Sequence, residues 1–110
     1  MRKAEIFYQH LLAGILTETD DGEYTFQYNA DYIAHYPNLF ITFSMPVKEG
    51  VYLEKRLFPF FEGLIPEGWL LNIASQSWKI NPNDRMGLLL ACCQNCIGAV
   101  SVQRINGNDE

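Results

Sequence analysis

Apolar and polar residues alternate over residues 3–9, with Ala4, Ile6 and Tyr8 set against Glu5, Phe7 and Gln9. A period of two predicts a strand. Residues 11–17 are apolar enough for a second strand, in which Gly14 suits a bulge or a close backbone approach. Asp20-Asp21-Gly22 then signals a turn, and Tyr24, Phe26 and Tyr28 alternate with Glu23, Thr25 and Gln27 in a third strand. The first 28 residues therefore predict an antiparallel meander. Asn29 is placed to cap a short helix over residues 30–36, stopped by Pro37. Residues 39–45 return to strand, with Leu39, Ile41, Phe43 and Met45 on one face.

Beyond a loop at residues 46–50, residues 51–56 carry no decisive pattern. The bulk of Leu57, Phe58, Phe60, Phe61 and Leu64 is spaced for a helix, with Pro59 tolerable only in its first turn. Ile65-Pro66-Glu67-Gly68 breaks the chain, and a helix is expected from Glu67 or Gly68 to about Trp78. Asn81 and Pro82 open another as cap and first helical residue, with Asp84 in its first turn and an end near Gln94-Asn95. Residues 97–103 read as a closing strand and 106–110 as a polar tail. The fold class is α+β: a small antiparallel sheet, a meander open or partly closed, with three to four short helices on one side. Residues 1–105 form one domain.

Composition narrows what such a domain does. The 110 residues are 48% hydrophobic and 19% charged, as in a globular chain. The longest apolar run, residues 86–93, is far short of the roughly 20 residues of a membrane span. The start Met1-Arg2-Lys3-Ala4-Glu5 lacks the apolar stretch of a secretory signal, so a cytoplasmic location is expected. Eight basic against 13 acidic residues give a net charge of −5, with no basic stripe to meet phosphates, so direct nucleic-acid binding is not expected.

Reactive chemistry finds little support. Gly63 and Gly68 lack the partner lysine of a phosphate loop, and there is no nucleophile elbow, no pair of histidines at helical spacing and no kinase catalytic motif. His10 and His35 read as surface or turn residues, and Asp20 with Asp21 as a solvated turn. Cys93 and Cys96 have the spacing of a metal or redox pair, and Cys92 adjoins them. A structural zinc site needs four ligands, and a redox pair needs a helix N-terminus, whereas these thiols fall at a predicted helix C-terminus. No enzyme, metal or cofactor is expected. A different feature stands out in the helix after Gly68. At about 100° per residue, Leu70, Leu71, Ala74 and Trp78 share a stripe, while Trp69 lies nearer Asn72 and Gln76. Trp69 is thus either an anchor for a partner or packed under the neighbouring loop against Phe61 or Ile65.

The run from Phe60 to Gly68 resembles the Phe-Phe-(Glu/Asp)-x-Leu-(Leu/Ile)-Pro-(Glu/Asp) segment in the N-terminal subdomain of HipA-type serine/threonine kinases. Gly14-Ile15-Leu16-Thr17, Tyr24-Thr25-Phe26-Gln27-Tyr28, residues 39–46, residues 84–90 and Ile97-Gly98-Ala99-Val100 resemble further pieces of it in the same order. Cys93-Gln94-Asn95-Cys96 departs from the family, which has a Gly-containing turn there. In the full-length kinases this subdomain precedes several hundred residues holding the catalytic groups. The resemblance therefore implies an accessory piece without kinase activity, similar to the HipS-type antitoxins of three-component systems. Their partners are a shortened HipA-like kinase, HipT, and a DNA-binding HipB, the latter a candidate third member of a complex. It implies partner-binding residues Ile65, Pro66, Glu67, Gly68, Trp69 and Leu70, and an antitoxin that inhibits the kinase. The alternative is a subdomain that completes or stabilises a split kinase.

Overall fold

The computed structural model describes residues 1–65, 84–92 and 99–105. Five strands and three helices lie among them. In chain order these are β1 (Arg2–Tyr8), β2 (Leu11–Glu18), β3 (Tyr24–Tyr28), α1 (Ala30–His35), β4 (Tyr52–Glu54), α2 (Pro59–Glu62), α3 (Arg85–Cys92) and β5 (Val100–Arg104). The strands form one antiparallel sheet in the order β4-β3-β2-β1-β5. The predicted meander is its centre, and the closing strand joins the far side of β1. Among the described residues the sheet is open, with β4 and β5 at its edges, and the partial closure expected as one option does not occur.

Alternation decides which face is buried. Ala4, Ile6, Leu16, Phe26 and Val102 are fully buried and share one core with Tyr32 of α1, Phe61 of α2 and Met86, Leu88 and Leu89 of α3. All three helices therefore pack on the same face of the sheet, as the sequence predicts. Ala13 is an extra residue in β2, because Ile6 pairs with Gly14 and Phe7 with Leu12. Gly14 sits where a Cβ would collide with the Gln27 carbonyl and come within 2.8 Å of the Phe26 ring. The close backbone approach expected of this glycine is present. Gly22 closes the β2–β3 turn at φ +85°.

Three expectations need correction. Residues 39–45 are not a strand: Ile41 and Met45 are buried, but Phe43 is 88% exposed. The cause is hydrogen bonding by Tyr28, whose hydroxyl accepts from the Ile41 amide at 3.1 Å and donates to the Met45 carbonyl. The Met45 amide turns back onto the Thr42 carbonyl at 3.1 Å, so the chain folds into turns and the sheet position beside β3 goes to β4. Secondly, α3 starts at Arg85, and Asp84 is its cap, its Oδ1 accepting from the Gly87 amide at 3.1 Å. Asn81 and Pro82 lie outside the described residues. Thirdly, Asn29 precedes α1 with extended backbone but makes no side-chain cap bond. The helix expected over 67–78 lies outside the described residues.

Candidate docking surface

The Phe60-to-Ile65 part of the motif is an anchor. Pro59 occupies the first turn of α2, where a missing N–H costs nothing. Phe61 is fully buried and meets Phe26, Phe58 and Phe60 with ring centroids 5.9, 6.0 and 5.3 Å apart. After Glu62 the chain tightens into turns, the Leu64 amide bonding to Phe61 and the Ile65 amide to Glu62, each at 3.1 Å. Glu62 also accepts from Arg85, with Nη2 at 3.0 Å and Nε 3.2 Å from both carboxylate oxygens. That pair ties the end of α2 to the start of α3.

Of the six predicted contact residues, Ile65 is described, and its side chain is only 2% exposed within the core. It holds the base of the segment rather than presenting surface. Pro66, Glu67, Gly68, Trp69 and Leu70 lie outside the described residues, as do Cys93 and Cys96. Cys92 closes α3. His10 and His35 are exposed, and His35 Nδ1 lies 2.8 Å from the Asp31 carbonyl of its own helix. Among the described residues no three His, Cys, Asp or Glu side chains converge on a possible metal position. No described helix is long and apolar enough to cross a membrane.

A charged cluster fixes α3 against the strands. Arg2 donates to Asp84 through Nη2 at 2.8 Å and Nη1 at 3.1 Å, and to Glu18 through Nε at 2.6 Å. The Arg2 hydrogen bond, aided by the Gly87 amide, holds the Asp84 carboxyl below its ordinary range despite partial burial. Tyr24 donates to the other oxygen of Glu18 at 3.2 Å. Burial, then the Glu18 charge, pushes the Tyr24 phenol up to about 12.

The sequence pattern missed a second aromatic surface. Tyrosine hydroxyls pin the loop between α1 and β4 at several points: Tyr28 as above, Tyr32 to the Leu39 carbonyl at 2.7 Å and Tyr52 to the Pro46 carbonyl at 2.5 Å. At the outer bend of this held loop Phe43 projects into solvent, its ring 5.1 Å from that of Phe40. Val51, just before β4, and Leu53 within it are also exposed, and a groove of about 530 Å³ runs from Leu53 past Lys55 and Arg56 to Pro59. The alternation over residues 39–45 sets Phe43 on one face with Ile41 and Met45, which are buried while Phe43 is not. The prolines that bound this short segment, Pro37 and Pro46, are the signal in the sequence that argues against a central strand there. These groups offer apolar area for contact with another macromolecule.

Comparisons with known proteins agree with this geometry. The family model described as "HipA N-terminal domain" matches residues 4–103. A protein of Haemophilus influenzae (strain Rd) described as uncharacterized is 31% identical over 103 residues, covering 94% of this chain and 92% of that protein. A solved structure described as the N-terminal domain of HipA toxin superposes with a TM-score of 0.75 at 26% identity, covering 98% of this chain and 96% of the other.

Proposed function

Because the chain belongs to the HipA N-terminal domain family, we propose that it docks on a HipA-like serine/threonine kinase of the HipT kind and inhibits it, as a HipS-type antitoxin does. The observation that carries this reading is the extent of the family match, residues 4–103, which assigns nearly the whole chain to an accessory subdomain rather than to the catalytic kinase domain. The Haemophilus influenzae relative supports it, since its alignment with this chain covers 92% of that protein. The action is non-enzymatic and takes place in the cytoplasm, with a HipB-like DNA-binding protein as a third member of the complex.

In this reading the segment after Ile65 carries the contact. Ile65, buried beside Phe61, anchors it. Trp69, with Pro66, Glu67, Gly68 and Leu70 around it, enters the nucleotide or substrate cleft, and Glu67 meets a basic group there. A tryptophan buries about 150–250 Å². At about 25 cal/mol per Å² that bounds its gross contribution near 4–6 kcal/mol, reduced by the entropy of docking. The test is co-expression with a HipA-like kinase that lacks this subdomain. Growth is restored by the native chain, and Trp69→Ala, still folded, weakens kinase binding by at least ~30-fold, as a hot-spot residue should. Unchanged inhibition by the variant removes Trp69 from the mechanism.

One observation favours a second reading. The solved structure that superposes on this chain is described as a domain of the toxin itself, so the subdomain could complete a split kinase instead of blocking it. Enhanced toxicity on co-expression selects that reading over inhibition.

A further inference from the structure

Residues 66–83 separate α2 from α3 in sequence, and Glu62 has a hold on both sides of them. Its backbone carbonyl accepts from the Ile65 amide at 3.1 Å, which sets the turn after α2. Its carboxylate accepts from Arg85 at the start of α3, with Nη2 at 3.0 Å and Nε 3.2 Å from each oxygen. Between these two residues stand Pro66 to Leu70 and both tryptophans of the chain, Trp69 and Trp78.

The start of α3 is pinned in two directions. Asp84 is drawn to Arg2 on β1, and the next residue, Arg85, to Glu62 on α2. Core packing already holds the neighbouring Ile65 and Met86, which are 2% and 0% exposed. The Arg85 and Glu62 side chains, by contrast, remain 31% and 36% exposed. An ion pair as wet as that contributes little to stability. What it supplies is orientation: the planar guanidinium meets the carboxylate through two nitrogens, a geometry that lysine cannot copy.

We propose that Glu62 and Arg85 are positioning residues for the kinase contact: their pair fixes the two flanks from which residues 66–70 are presented. The inference rests on the docking reading given above. Contact groups that arrive already oriented bind more tightly, because ordering them during docking subtracts from the gain. With the pair intact, the end of α2 and the start of α3 stand at a set separation and angle. With it broken, the two helix ends are free to shift against each other while the core stays packed.

Arg85→Lys, Glu62→Gln and the swap of Glu62→Arg with Arg85→Glu test it in the full chain. Because both tryptophans lie between the paired residues, acrylamide quenching of their fluorescence reports on that segment without any kinase. Each single variant should keep the native urea midpoint and raise the quenching constant by ~1.5-fold or more. Each should also bind a HipA-like kinase lacking this subdomain ~5-fold more weakly, and the swap should recover most of both losses. Native affinity in both single variants overturns the proposal. So does an affinity loss that follows a lowered urea midpoint, which marks a purely structural role. Weaker binding with unchanged quenching marks direct contact with the kinase and overturns it equally. A native chain that binds no such kinase overturns the docking reading instead; quenching then decides the positioning role alone, raised values supporting it and unchanged values ending it.

Discussion

Arg2 and Asp84, 82 positions apart, are joined by two parallel hydrogen bonds of 2.8 and 3.1 Å, and the same carboxylate caps α3 through the Gly87 amide. One aspartate thus both starts a helix and fastens it to the first strand.

The two roles separate by substitution. Asp84→Asn keeps a capping acceptor and loses the ion pair, which is partly exposed, so urea unfolding should show a loss below about 1 kcal/mol. Asp84→Ala loses both and should cost about 1–2 kcal/mol. The folded-state carboxyl lies below its ordinary value of 3.8. Its contribution is therefore fully present above that value and is lost as pH falls through the lower folded value. In Asp84→Asn the acid limb of a stability–pH curve should be shallower below pH 3.8; superimposable acid limbs would contradict the pairing.

Gly87 is required by the same arrangement. A Cβ there would collide with the Asp84 carboxylate and lie 3.3 Å from Arg2 Nη1. Gly87→Ala, which in an ordinary helix stabilises by up to about 1 kcal/mol, should here destabilise by about 1 kcal/mol or more, measured as a lower urea midpoint with unchanged slope.

Tyr28 holds the loop that presents Phe43, so Tyr28→Phe should leave the Ile41 amide and Met45 carbonyl without their partner. The expected cost is about 2 kcal/mol or more. Limited proteolysis should then cut near Phe43 faster than in the native chain. Burial pushes the Tyr28 phenol up to about 12 from an ordinary 10. A raised value means the folded state keeps the proton, so its stability is intact below pH 10 and is lost between 10 and 12. Thermal melts across that interval should show the native protein falling more steeply than Tyr28→Phe.

Replacing Gln9-His10 by Asn-Gly relieves the two positive φ angles. The melting temperature should rise, corresponding to about 1–2 kcal/mol. No gain would mean that these side chains make compensating contacts.

Much of this architecture was legible in the chain because local rules and global packing coincide there. Ala4, Ile6, Leu16, Phe26 and Met86 recur at the periods of the elements that bury them, and Gly14 and Gly22 stand where backbone crowding or positive φ demands them. Pro59 marks the first turn of α2 for the same local reason. The segment that resembles the HipA family was visible as sequence, and the contact role proposed for Pro66 to Leu70 rests on that resemblance and on one helical projection.

What the sequence by itself determined was the alternation of the central meander, the turn chemistry, the apolar run that becomes α3 and the family. Those depend on neighbours in the chain. Tertiary structure alone decided that Phe43 points outward, because a tyrosine hydroxyl from β3 captures the backbone on both sides of it. It also decided that Asp84 caps α3 while gripping Arg2, and that Ile65 is buried in the same core as Phe61. Each depends on a group distant in sequence competing for a hydrogen bond or for core volume, and no local period records that competition.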